Sequence, residues 1–466
     1  MRLSAVPSLL LLLPVGLCLS CHSGKTLAEE IELTRQAGIP TTPQELQAPL
    51  PPEDQNAAPL YVQLTALLKS APLTGEDKLA DGGIRSRVTT AAEAAQLRHA
   101  FAHRSDVGDL IHKAVVRPHC VFQRDWAQGS YVLLPEYSPM RMAARWLRAE
   151  SALELYDGKP QEAIKTQALG FHIARHFAED PTDMGHSAAE AADAITLAGM
   201  QHILYVAGDR QEVAQAVQQA IEQEWHPPSL AFGLRHEVVS QLIELKRIRK
   251  GGPNAYDQGR LAIQNIAATG LIPSPPSQSA ADRQPLKLPM DEQITVPPAL
   301  SADDRQHWDH LMDENGIVMM QRMRKVFAAA DLPMPQADAV MKEVDADIKA
   351  HRQDTRYFMA STMFPDFEHM IERRTSAQAQ ADIVRTGATL LAWRAQHGAF
   401  PDKLSDALTT VPNDPFDGQP LHYKHEGDGC VVYSVGQKGT FDGGTPDKAP
   451  DRMERLFRYP APAYLK

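Results

Sequence analysis

Cysteine, aromatic residues and excess positive charge are all scarce in this chain. It has four cysteines in 466 residues, which excludes a small disulfide-stapled scaffold. Aromatics make up 6%. Basic residues number 47 against 58 acidic ones, for a formal charge of −11, and no basic stripe interrupts that balance. A nucleic-acid partner is therefore not expected. The longest basic cluster, Lys246-Arg247-Ile248-Arg249-Lys250, ends an apparent helix, where cations suit the helix dipole. Mean hydropathy is −0.33, against a polytopic membrane protein. Complete catalytic motifs are missing too. There is no G-x-S-x-G elbow and no dinucleotide fingerprint, and Gly24-Lys25-Thr26 imitates a phosphate loop without the required upstream glycine, Leu19 standing there.

What is present begins with an export signal. Arg2 precedes the apolar run Leu9 to Leu13, and Pro7, Pro14 and Gly16 interrupt it. The stretch is too short to span a bilayer comfortably and has signal-peptide form over residues 1–20. Its end, Leu17-Cys18-Leu19-Ser20-Cys21, resembles the lipobox of bacterial lipoproteins, which implies lipidation of Cys21 and a membrane anchor there; Cys18 stands where that motif usually has leucine. Ordinary cleavage near Ser20 is the alternative. Only Cys120 and Cys430 remain beyond it. An exported compartment permits them to pair, constraining the unfolded chain by about 4–5 kcal/mol. Two separate buried thiols are the other reading.

Length alone allows about two to four domains. Residues 21–90, broken by Pro40, Pro43, Pro51 and Pro52, read as a loosely ordered lead-in with one helix around Tyr61 to Lys69. Residues 91–265 read as a helical domain, with apolar residues at three- and four-residue spacing. Asp157-Gly158-Lys159-Pro160 ends one helix and begins the next, as in tetratricopeptide-like hairpins, but no regular repeat period follows. Val213, Val217, Ala220 and Ile221 share one helix face, and Val238, Leu242, Leu245 and Ile248 another. Residues 266–300 are Pro-rich and read as a linker, and residues 301–366 as a further helical segment. A long helix from Phe367 to His397, with the stripe Ala377, Ala381, Val384, Ala388 and Leu391, opens the last unit, residues 367–466. The period then becomes strand-like at Leu421-His422-Tyr423 and from Cys430 to Val435, predicting a β-hairpin packed on that helix. The fold class expected is mainly α: an irregular antiparallel helical array with a small C-terminal α+β module.

Candidate chemistry is sparse. His172 and His176, four apart on a helix, could share one zinc ion, but Ile173 occupies the place of a zinc-protease glutamate and a third ligand is needed. His186 and His202 follow at uninformative distances. Asp180 fits a helix N-cap with Pro181 in the first turn, and Asp345, Asp347 and His351 a solvated helix face. His119 and Cys120 are adjacent, and adjacent residues seldom face each other; a buried structural segment is expected.

One module carries a family resemblance. The long helix closes in Trp393-Arg394-Ala395-Gln396-His397-Gly398, followed by Phe400-Pro401, Asn413-Asp414-Pro415-Phe416-Asp417-Gly418, Leu421-His422-Tyr423, Tyr433-Ser434-Val435-Gly436 and Asp442-Gly443-Gly444. That order resembles the C-terminal part of type II secretion major pseudopilins, and the tail of uncharacterised exported helical proteins of bacteria. It covers roughly residues 375 to 450, about a sixth of the chain. The resemblance implies a calcium loop, in which Ser434 and Val435 would offer backbone carbonyls and Asp442, Asp447 and Asp451 carboxylates; Lys438, at about the position of the family's aspartate, opposes it. The processed hydrophobic N-terminal helix of a pseudopilin is missing, so filament formation is not expected.

These readings converge on an exported cell-envelope protein, periplasmic or lipid-anchored. It would act as a non-enzymatic scaffold for a protein partner in the envelope, with no cofactor beyond the calcium just named. An exported hydrolase with a His-based metal site and an accessory part of the type II secretion apparatus are the alternatives.

Overall fold

Signals at helix ends account for much of the architecture in the computed structural model, which describes residues 24–81, 87–269, 271–272, 286–287, 298–362, 367–437, 439–440 and 455–461. The export signal, Cys21, most of the Pro-rich stretch, Lys438, Asp442, Asp447 and Asp451 lie outside them.

Helix α1 (Leu27–Gln36) opens on a capping box: Thr26 Oγ1 accepts from Glu29 N at 3.3 Å, and Glu29 Oε2 accepts from Thr26 N at 2.7 Å. After α2 (Ala58–Ser70) come α3 (Ala91–His103), with the same box at Thr90 and Glu93, and α4 (Ser105–Val115). The hairpin turn joins α5 (Tyr137–Tyr156) to α6 (Pro160–Ala178): Gly158 sits at φ +72° and Lys159 N reaches back to Glu154 O at 3.0 Å. Thr182, not Asp180, caps α7 (Asp183–Ala207), its Oγ1 accepting from Gly185 N at 2.8 Å. Asp180 is buried instead and receives the Arg124 guanidinium at 2.7 Å. Then follow α8 (Gln211–Glu224), the single turn α9 (Leu230–Gly233) and α10 (Arg235–Thr269), which kinks at Gly252 and Pro253 just beyond the basic cluster. Strands β1 (Leu271–Ile272) and β2 (Leu286–Lys287) form an antiparallel pair. Helices α11 (Ala302–Gln306), α12 (Trp308–Ala329), α13 (Met334–Ala350), α14 (Phe358–Thr362), α15 (Phe367–His397) and α16 (Leu404–Ala407) complete the array.

The chain ends in an antiparallel sheet ordered β3 (His422–Glu426), β4 (Gly429–Ser434), β5 (Arg455–Tyr459). The expected hairpin is β3–β4. The third strand covers the edge of β4 that a two-stranded hairpin would leave open, Val432 pairing with Phe457.

Three large apolar cores hold most of these elements, and a small one gathers Leu46, Trp126 and Val239. The first gathers Tyr61, Leu64, Ile111, Trp146, Ile173 and Phe177 from α2, α4, α5 and α6. The second, between α10, α12 and α13, is rich in methionine: Met312, Met319, Met320, Met323, Met334 and Met341. The third joins α6, α7 and α8 to the sheet through Phe171, Leu197, Val217, Leu391, Val432 and Phe457. Helix α15 runs from the second core, at Ile371 and Ala379, into the third. It is buried on more than the one expected stripe, with Ile383 and Leu390 as covered as Val384 and Leu391. Gly387 lets β5 approach: a Cβ there would sit 2.6 Å from the Phe457 ring.

The stretch read as a loosely ordered lead-in is part of this packing. Leu27 and Ile31 join the second core, Tyr61 and Leu64 the first, and the Arg324 guanidinium pairs with buried Glu30 on α1. Its prolines lie between helices and do not prevent docking.

Candidate functional site

The histidines that could have held zinc are pins between helices. His172 places Nδ1 2.8 Å from Val115 O and Nε2 3.2 Å from a Glu224 oxygen. His176 places Nε2 2.8 Å from Arg117 O, so this nitrogen carries the proton and Nδ1 accepts from the Tyr61 hydroxyl at 3.0 Å. Both carbonyls belong to the end of α4 or the turn after it, which lacks intrahelical donors. Burial pulls His176 down to about 4, keeping it neutral. His186 is spent on Glu190 at 3.1 Å, within α7. Zinc at His172 and His176 would require both rings to leave these partners. No group of three potential ligands includes them among the described residues.

The group that does converge is Asp414, Asp417 and His422. Asp414 is fully buried, and its two oxygens accept from Ser434 Oγ at 2.8 Å, Val435 N at 2.8 Å and Phe416 N at 3.0 Å. Asp417 accepts from His422 Nε2 at 2.9 Å. Ser434 and Val435 thus direct donors, a hydroxyl and an N–H, at Asp414. The cluster clasps the turn before β3 to the end of β4. A hard cation bound to Asp414 would have to displace donors already in place.

Cys120 and Cys430 are free thiols buried in different cores, the second of the two readings their sequence allows. Burial pushes both thiols up, Cys430 to about 12.

Two clefts hold the remaining polar groups of interest. The first, about 210 Å³, lies against α12 and α13 and is lined by Arg322, Asp347, His351 and Tyr357 among others. Asp347 and His351 are therefore not a solvated face. Arg322 is buried, its Nε donates to Asp347 at 2.7 Å and its Nη1 to Ala360 O. Asp345, by contrast, is exposed and pairs with Lys349.

The second cleft, about 470 Å³, lies between α5, α7 and the end of β5. Ala152, Leu155, Val206, Tyr156, Tyr205 and Tyr459 give it apolar and aromatic walls, and Arg87 and His202 add basic groups. Arg148 lies one turn before Ala152 and two before Leu155, on the same face of α5. It is 2% exposed and makes no hydrogen bond or ion pair among the described residues; its Nε and Nη1 are buried without partners. Burial, and then Arg87, pull Arg148 down to about 10. Burial, then Arg148 and Arg87, pull His202 down to about 3. Sequence reading missed Arg148. The signal was its spacing of four residues from Ala144 and from Ala152 and of seven from Leu155, which sets a charge on an apolar stripe.

Comparison with protein-family profiles, with curated proteins and with solved structures gives no match for this chain. No described helix is long and apolar enough to cross a membrane.

Proposed function

We propose that the protein is an exported scaffold of the cell envelope, held there by a lipid anchor at Cys21 and acting by binding rather than catalysis. The observation that supports this reading is how the reactive-looking side chains are used. His172, His176, Ser434 and Asp414 all spend their polar atoms on joining one element to another. A frame so fixed suits the display of a surface to a partner protein. The test is fractionation of cells making the full chain, with affinity capture from the envelope fraction. The reading expects the mature chain in that fraction with a reproducible partner, and Cys21→Ala released to the soluble fraction. A free monomer in the cytosol contradicts it.

A relation to the type II secretion apparatus is a second reading. The observation favouring it is a long helix followed by an Asp414-centred turn and a sheet that packs back on that helix. Capture of secretion components with the full chain, lost when residues 399–466 are deleted, would support it; capture unaffected by that deletion would not.

A further inference from the structure

A histidine ring has two nitrogens. Where one is fixed as a donor, the other, in the neutral ring, is left as an acceptor. His172 and His176 use both nitrogens on neighbouring elements. His351 does not. It closes α13, and its Nδ1 lies 2.8 Å from Asp347 O and 3.2 Å from Asp347 Oδ1. Both neighbours are acceptors, so Nδ1 carries the proton. Nε2 makes no hydrogen bond or ion pair among the described residues. The ring is also held in place. Tyr357 packs against it at 4.3 Å between centroids, and Asp347 is fixed in turn by Nε of buried Arg322 at 2.7 Å. All four residues line the cleft of about 210 Å³ beside α12 and α13.

We propose that this cleft binds a small, neutral apolar molecule carrying a hydroxyl, of the phenol class, whose O–H donates to His351 Nε2 and whose ring lies against Ile317, Val318 and Val344. Those three side chains give the cleft its apolar wall. The charges that line it are matched within the protein: Arg322 with Asp347, Lys325 with Glu343, and His310 with Glu314 at 3.5 Å. Lys25 also lines it but is exposed, where water weakens its charge. A charged ligand would give up its own water for groups that already have partners, which selects a neutral one. Size agrees. The cleft exceeds the roughly 150 Å³ that holds benzene and falls short of the roughly 300 Å³ at which pockets for larger ligands begin. Asp347 sets the tautomer and Arg322 holds Asp347, so both are positioning residues. The site is independent of the scaffold reading and of where the protein resides.

The experiment is isothermal titration and NMR of the full chain with p-cresol, toluene, benzoate and benzylamine, repeated with His351→Phe. Phenylalanine keeps a ring beside Tyr357 and lacks the acceptor. p-Cresol is expected to bind at least tenfold more tightly than toluene and to move the Nε2 chemical shift of His351, which toluene leaves in place. In His351→Phe the preference for p-cresol over toluene is expected to vanish while toluene binds as before. The Nε2 shift reads the contact in the wild type alone, whatever the variant does to the fold. Failure of p-cresol to bind, or to bind tenfold more tightly than toluene, would overturn the proposal. So would an unmoved Nε2 resonance, tighter binding of benzoate or benzylamine than of p-cresol, or an undiminished preference in a folded His351→Phe.

Discussion

Arg322 and Arg148 are buried to nearly the same degree, at 3% and 2% exposure, yet the clefts beside them are opposites. Beside α12 and α13 the guanidinium arrives with its carboxylate, Asp347, on the next helix, and the cleft is internally balanced. Beside α5 and α7 the guanidinium arrives alone, among other basic groups. The first arrangement belongs to the architecture. The second leaves two guanidinium nitrogens of Arg148 buried without a partner among the described residues.

Breaking the balanced cleft should have the largest effect. Arg322→Met leaves the partly buried Asp347 without its cation and is expected to lower unfolding free energy by about 3–5 kcal/mol in urea titrations. His176 shows a third treatment of a buried cation, which is to discharge it. Its folded value, about 4, lies below the ordinary 6.5, so between those values the unfolded chain binds the proton more readily. Stability from this group is full above about pH 6.5 and is lost as pH falls toward 4, by about 3 kcal/mol. Urea midpoints measured from pH 7.5 to 4 should therefore fall more steeply for the wild type than for His176→Gln. Arg148→Met should act with the opposite sign to Arg322→Met, raising stability without ligand by roughly 1–3 kcal/mol.

Two smaller changes sharpen the comparison at its edges. Tyr459 lines the cleft beside α5 and α7 at the end of β5, and β5 rests on α15 at Gly387. Gly387→Ala drives a methyl into the Phe457 ring and should cost about 1–3 kcal/mol in thermal or urea unfolding. Tyr61→Phe removes the hydroxyl that His176 accepts from and should cost about 1 kcal/mol, with little change elsewhere.

The legible parts of this fold are those written in local chemistry. Asp157-Gly158-Lys159-Pro160 specifies the turn between α5 and α6 through one positive φ and one helix-starting proline, and Gly398 ends α15 at the expected residue. The strand-like run from Cys430 marks β4, which ends at Ser434, one residue before the expected Val435. Strand β5 was not legible, because its partner lies more than twenty residues back, too far for hairpin spacing to reveal the pairing. Helix α1 is written locally in the capping box of Thr26 and Glu29, but its docking is not, because the prolines that follow it carry no mark of the core that Leu27 and Ile31 join. The histidine pair was legible as a pair and misleading as a metal site: spacing along α6 cannot reveal that Val115 and Arg117 already offer carbonyls from another helix. Arg148 is the converse case. Its position on an apolar stripe was readable, but the lack of an anion opposite it is a property of packing between segments far apart in sequence.

The most direct measurement is equilibrium urea unfolding of Arg148→Met and Arg322→Met beside the wild type, in buffer free of phosphate and organic acids. If Arg322 is paired within the fold and Arg148 is not, the first variant unfolds at higher urea than the wild type and the second at markedly lower urea. Destabilisation of both variants would contradict this, because it would mean that Arg148, like Arg322, already has all the partners it needs.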